Sequence, residues 1–137
     1  MADTMQFDLV SPEKMLASVP VTAVQIPGTD GDLTAMPGHV PFITTLRPGV
    51  VIASTDKGEM RYVVTGGFAE VSAERISLLA ERSLLAEEFT QPRFDEMLEE
   101  ARVQRDSAKG PAHDANAKHF ADIMEAGRQL GLQASKV

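Results

Sequence analysis

The chain has 137 residues, a formal net charge of −7 and no cysteine. Its length fits one domain with at most a small appendage, and the missing thiols exclude disulfides, thiolate metal sites and thiol nucleophiles. Its 13 Lys and Arg residues are scattered among 20 Asp and Glu, which argues against nucleic acid or anionic lipid as a partner.

The opening MADTMQFDLVSPE carries acidic residues and no apolar run, unlike a secretory signal or an Arg-rich transit peptide. No segment approaches the ~20 apolar residues that span a bilayer, so a soluble cytoplasmic protein is expected. Up to about Glu81 the apolar residues recur with period two between Gly and Pro. MQFDLV puts Met5, Phe7 and Leu9 on one face, and VTAVQI does the same through Val21, Ala23 or Val24, and Ile26. Next comes PGTDGDLTAMPGHVPF, Pro27 to Phe42, dense in turn formers around a single imidazole. Prolines 27, 37 and 41 restrict its backbone and glycines 28, 31 and 38 permit reversals, which predicts a stiff loop presenting Asp30 and Asp32. TTLRPG, RPGVVIAS, EMRYVV (Met60, Tyr62, Val64) and TGGFAEVSAERISLLAE add short strands with turn signals at intervals of roughly 8–12 residues, the pattern of an all-β sandwich or barrel. Gly66–Gly67 falls inside a strand pattern, where a β-bulge is expected rather than a phosphate cradle.

After Leu85 the spacing turns helical. Phe94, Met97, Leu98 and Ala101 form one stripe behind the start signals Thr90 and Pro92. KGPAHD breaks the pattern, and a second helix is expected from about Asp114 to Gly131, with Ala117, Phe120, Met124 and Gly127 on one face. Two apolar stripes joined by a Gly-Pro break predict an antiparallel helical hairpin.

The sequence offers no catalytic constellation. His39 lies in the turn-rich stretch; His113 and His119 are six apart and point to different faces of a helix, which leaves no metal pair. PGTDGDL lacks the terminal Glu and glycine spacing of a calcium loop. Neither metal, cofactor nor catalytic residue is expected, and a binding or structural role follows.

VSPEKML, PGTDGDLTAMPGHVPF, LRPGVV, VTGGFAEV and LLAE occur in the order and spacing of the epsilon subunit of the F-type ATP synthase, called delta in mitochondria, and the whole chain resembles that family. The resemblance implies a ten-stranded β-sandwich, residues 1–86, followed by a helical hairpin, 87–137. It implies a non-catalytic rotor subunit of the central stalk of a proton-translocating enzyme, bound to the gamma subunit and resting on the c-ring. With no transit peptide in view, it points to the cytoplasmic side of a bacterial plasma membrane, held there through the complex. It sets the ring contact on Thr29, Asp30, Gly31, Asp32, Pro37, Gly38 and His39, with Asp32 and His39 the residues matched directly; Thr34 departs from the glycine common in the family. Asp30 and Asp32 as turn caps, and His39 as an ordinary loop hydrogen-bonder, stay open as readings. A gamma-facing patch must be apolar and exposed, and Phe42, Leu46, Phe68 and Val71 are its candidates.

In many bacterial members of the family this chain resembles, the hairpin switches between a state folded against the sandwich and an extended one that inserts into the catalytic head of alpha and beta subunits and blocks rotation, and some bind ATP through Ile or Leu, Asp, two variable residues, Arg and Ala on the first helix. Here FDEMLE keeps Asp95, but Leu98 replaces the Arg and Glu99 the Ala, so no nucleotide site is expected. Lys118, Arg128 and Lys136 only balance Asp114, Asp122 and Glu125, so charge does not steer insertion, and regulation by the hairpin stays open as a weak role behind the scaffold one. The alternative reading is a free-standing β-sandwich ligand-binding module with a helical lid, which needs a concave apolar pocket.

Overall fold

The computed structural model describes residues 3–133. Its elements are β1 (Met5–Val10), β2 (Met15–Val21), β3 (Ala23–Gly28), β4 (Gly31–Ala35), β5 (Phe42–Leu46), β6 (Gly49–Thr55), β7 (Gly58–Val64), β8 (Gly67–Val71), β9 (Arg75–Ala80), β10 (Ser83–Leu85), a short 3-10 turn at Ala86–Glu88, α1 (Gln91–Ser107) and α2 (Pro111–Gln129). Ten strands are followed by two helices, the β-sandwich and hairpin expected from the change of period. The chain divides into two compact units, one ending at Leu85 and the other starting at Ala86.

Strand pairing runs β10-β7-β6-β3-β5-β8-β9-β1-β2, with β4 joined to β3 off this path. β3 and β5 share a single pair, Gly28 with Leu46, so the path is hinged there into two layers. A second hinge lies at Gly66–Gly67. Thr65 N–H donates to Arg82 O at 3.1 Å, Glu81 N–H donates to Gly66 O at 3.0 Å, and Gly67 lies opposite Ala80. β7–β8 and β9–β10 therefore run together as one ribbon that turns from layer to layer at Gly66–Gly67. This corrects the expected bulge: Thr65 and Gly66 join β7 to β8 with no extra residue against Glu81 and Arg82, and Gly67 opens β8, the two glycines at φ +152° and +124°.

Met5, Phe7 and Leu9 of β1 are buried, as their alternation predicts, with Val24, Ile26, Ile76 and Leu78. The Phe7 and Tyr62 rings meet between the layers at 6.2 Å. Burying a side chain of this size contributes about 2–3 kcal/mol, so these positions hold the sandwich together. VTAVQI proves to straddle two strands, because Val21 ends β2 and Ala23 begins β3. Pro20 had hidden β2, and it is tolerated there because β2 ends the pairing path, where a missing N–H costs no ladder bond. Met60 is 40% exposed while Tyr62, Val63 and Val64 are buried in succession, so β7 loses its alternation toward its end, as a strand covered on both faces does.

In the second unit α1 buries Phe94, Met97, Leu98 and Ala101, the stripe its spacing predicts. α2 begins at Pro111, with Gly110 at φ +64° before it; the expected start at Asp114 lies three residues too late, and Asp114 occupies the first turn instead. Phe120, Ile123, Ala126 and Gly127 are buried on α2, while Ala117 and Met124 are half-buried. Gly127 leaves room for the Phe94 ring: a Cβ there would sit 2.8 Å from Phe94 Cδ1 and closer still to the ring's outer atoms. Arg105 stacks 4.6 Å over the Phe120 ring. Gly131, at φ +80°, ends the hairpin; its N–H donates to Arg128 O at 3.0 Å and that of Leu132 to Gly127 O at 2.8 Å.

Candidate functional site

The stretch read as one stiff loop is two separate features. Pro27 and Gly28 close β3, Thr29 and Asp30 form a two-residue turn, and Gly31 opens β4 at φ +134°. Pro37, Gly38 and His39 lie beyond the other end of β4, where His39 N–H donates to Met36 O at 3.0 Å across a turn with Gly38 at φ +86°. Four residues lie between Asp32 and Pro37, a span of roughly 16 Å over five steps of ~3.3 Å if extended. The structure brings Thr29, Asp30, Gly31 and Asp32 together and leaves Pro37, Gly38 and His39 apart from them. His39 Nδ1 donates to the Val40 carbonyl at 2.7 Å and its ring leans on Phe42 at 5.1 Å, the contacts of an ordinary loop hydrogen-bonder.

The hairpin tip is held from the side by β5 and the turn after it. Thr29 N–H and Oγ1 both donate to Thr45 O at 3.0 Å. Arg47 donates through its backbone to Pro27 O at 3.0 Å, through Nη1 to Gly28 O at 2.6 Å and through Nη2 to Asp32 Oδ1 at 2.5 Å. Asp32 is therefore an ion-paired carboxylate, 44% exposed, and not the free acceptor that the sequence suggested. Its Oδ2 meets only the distant amide of Gln25 at 3.5 Å among the described contacts.

Of the four candidates for an apolar patch, Leu46 and Val71 are buried, and Phe42 is half-buried and packs against the core; they lie on the inward positions of β5 and β8. Phe68 alone is exposed, at 56%. Register extends it into something that no single segment of the sequence displays. Phe68 lies opposite Leu79, Leu79 beside Val10, and Val10 beside Met15. Leu79 and Met15 are 55% and 59% exposed, so an apolar row crosses the outer face of β8, β9, β1 and β2. Contiguous exposed apolar side chains of this kind mark an interaction surface. On the next outward pleat, two residues along β8, β9 and β1 and three along β2, where the register shifts after Leu9, Glu70, Ser77, Asp8 and Ser18 form a polar row. There Gln6 and Ser18 donate to Asp8 Oδ1 and Arg75 to its Oδ2 at 2.8 Å. The hydrogen bonds from Gln6 and Ser18, with Arg75 beside them, hold the Asp8 carboxyl below the usual aspartate range. Thr45 connects the two surfaces: it binds the hairpin tip through Thr29 and lies opposite Phe68.

On α1, Asp95 accepts from Gln91 Nε2 at 2.8 Å and Leu98 is turned into the hairpin. Arg102 bridges Glu99, at 2.5 Å, and Asp106, at 3.1 Å. The groove beside it is lined by Glu96, Glu99, Glu100, Val103 and Gln104, a set that repels a polyphosphate. Lys118 pairs with Asp122 and Arg128 with Glu125, while Lys136 lies outside the described residues. Among the described residues no three His, Cys, Asp or Glu side chains converge to hold a metal ion, and no helix is long and apolar enough to cross a membrane.

Comparison with known proteins points one way. The family model of the ATP synthase delta/epsilon chain β-sandwich domain matches residues 4–86. The ATP synthase epsilon chain of Rhodobacter capsulatus is 52% identical over 96% of this chain and all of its own length. That of Paracoccus denitrificans is 51% identical, covering 96% of this chain and 94% of its own. A chain of the mitochondrial ATP synthase of Euglena gracilis, solved with its c-ring, superposes with a TM-score of 0.73 at 22% identity, over 92% of this chain and 80% of that one. One from the central stalk and c-ring of the Tetrahymena thermophila enzyme gives 0.70 at 16% identity, over 93% and 96%. At those identities the two structures speak for the fold alone.

Proposed function

This chain belongs to the ATP synthase delta/epsilon family, and on that premise we propose that it is a non-catalytic central-stalk subunit of a proton-translocating F-type ATP synthase. It links gamma to the c-ring and sits peripherally on the cytoplasmic side of a bacterial plasma membrane. The observation that carries this reading is the family match over residues 4–86, the segment that contains both the apolar row and the β3–β4 hairpin.

We assign gamma to the row Phe68, Leu79, Val10 and Met15. A subunit that must turn with a helical shaft needs apolar contact to hold and polar contact to fix register, and the Asp8–Arg75 cluster lies one pleat away. Covering the exposed parts of Phe68, Leu79 and Met15 contributes on the order of 1 kcal/mol each. We assign the ring to the tip Thr29–Asp32 and leave Pro37–His39 as a structural turn, because the two lie at opposite ends of β4.

Size-exclusion chromatography of the chain mixed with a gamma subunit tests this reading. The wild type co-elutes with gamma, and Phe68→Ser with Leu79→Ser abolishes the complex while the circular dichroism spectrum stays the same. A chain that elutes alone beside folded gamma contradicts the reading and returns the ligand-binding module to consideration.

A further inference from the structure

β4 pairs with β3 and with no other strand among those described, and β3 itself is laddered to β6 only over Ala23–Gln25 and to β5 only at Gly28, so the tip beyond Gly28 projects as a two-stranded ribbon. A two-stranded ribbon is marginal by itself, and a contact made at its tip is only as rigid as whatever braces it. The brace comes from outside the hairpin. Arg47, on the turn between β5 and β6, reaches back 15 residues to Asp32 and 19 to Gly28. Its guanidinium grips one backbone carbonyl and one carboxylate, one on each strand of the ribbon. The planar fork of Arg suits this, whereas the single ammonium of Lys reaches one acceptor at a time. Arg47 is mostly covered, with 22% of its side chain exposed, and its bond to Gly28 O is part-buried, so solvent screens that half of the grip less than an open surface pair.

We propose that Arg47 is the positioning residue of the ring-facing tip. By tying Gly28 to Asp32 it sets the angle of the hairpin, and by occupying Asp32 Oδ1 it leaves Oδ2 as the oxygen offered outward. Thr45, through its two bonds from Thr29, is the second brace at the turn itself. Asp32 then acts as a fixed single acceptor. This inference rests on the assignment of the tip to the ring.

The test compares Arg47→Met, Arg47→Lys, Asp32→Asn and the double variant Arg47→Met/Asp32→Asn in the full chain. Two readouts are taken: amide hydrogen exchange across 28–34 in the free protein, and affinity for a detergent-solubilised c-ring carrying gamma. Arg47→Met is expected to speed exchange of the tip amides with the rest of the sandwich unchanged, and to weaken ring binding roughly fivefold, the scale of a partly exposed bidentate pair. Arg47→Lys recovers part of both effects. The double variant is no weaker than the worse single one, because both break the same grip. Wild-type ring affinity in Arg47→Met together with a loss in Asp32→Asn overturns the positioning role and leaves the ring assignment standing. Faster tip exchange with wild-type affinity in all four variants overturns the ring assignment, and the inference with it.

Discussion

Gly67→Ala sets a methyl group directly against the backbone of β9. Gly67 sits at φ +124°, and a Cβ there would fall inside the van der Waals shell of the Leu79 carbonyl oxygen and 2.9 Å from Ala80 Cα. Both obstacles are backbone, so no rotamer change relieves them. The conformation alone costs Ala about 1–3 kcal/mol. Moving Leu79 away opens the ladder at Gly67–Ala80, and each buried backbone group left unpaired adds about 1–3 kcal/mol. The expected loss is therefore about 3–5 kcal/mol, a large share of the stability of a small domain. Gly66→Ala is the control: its φ of +152° also disfavours Ala, but its nearest neighbour is the Glu81 carboxylate at 3.2 Å, which can swing aside. Urea unfolding at fixed pH compares them. With a slope of about 1–2 kcal/mol/M, Gly67→Ala should lower the midpoint by about 2–4 M and Gly66→Ala by about 1 M. Equal midpoints for the two variants, or a Gly67→Ala loss below about 1 kcal/mol, would show that the Leu79–Ala80 backbone yields to a side chain at this position.

The hairpin has its counterpart in Gly127→Ala, which displaces the buried Phe94 ring and should cost about 2–3 kcal/mol, read as loss of slow-exchanging amides in α1 and α2. Asp8, whose pKa is lowered by folding, stabilises the fold above the ordinary aspartate value and loses that contribution as pH falls through its folded value; the stability gap between wild type and Asp8→Asn should be present at neutral pH and close in acid, by chemical denaturation at each pH. A chain ended after Glu87 should keep its β-type circular dichroism and a cooperative melt, since the first unit has its own core. Isothermal titration with Mg-ATP should give no dissociation constant tighter than about 1 mM, because Leu98 supplies no cation and Arg102 is engaged by Glu99 and Asp106.

Elements whose signal is local could be read from the sequence. β1 was legible because Met5, Phe7 and Leu9 alternate without interruption, and α1 because its four buried residues follow one helical stripe. β2 was not, since Pro20 removes the strand signal that its edge position excuses. The start of α2 was misplaced because Asp114 is a good cap in isolation, while Pro111 behind a left-handed Gly110 begins the helix earlier. Ile123 is buried, one residue off the stripe through Met124 that the spacing suggests. What the sequence could not display is register. Phe68, Leu79, Val10 and Met15 form a row only once four strands are aligned, and a shift of one residue would send each to the other face. The Asp32–Arg47 pair likewise needs two elements brought together, and the single stretch around His39 looked continuous because turn residues do not reveal that a strand separates them.

If this chain couples the shaft to the ring, ATP-driven proton pumping depends on it. Membrane vesicles whose enzyme has been stripped of this subunit are given the purified chain back, and pumping is measured with hydrolysis in the same sample. Hydrolysis without pumping is expected to become hydrolysis with pumping once the chain is added, and the Phe68→Ser/Leu79→Ser protein is expected not to restore it. Pumping that is already complete in the stripped vesicles, or that the added chain leaves unchanged, would contradict coupling by this chain.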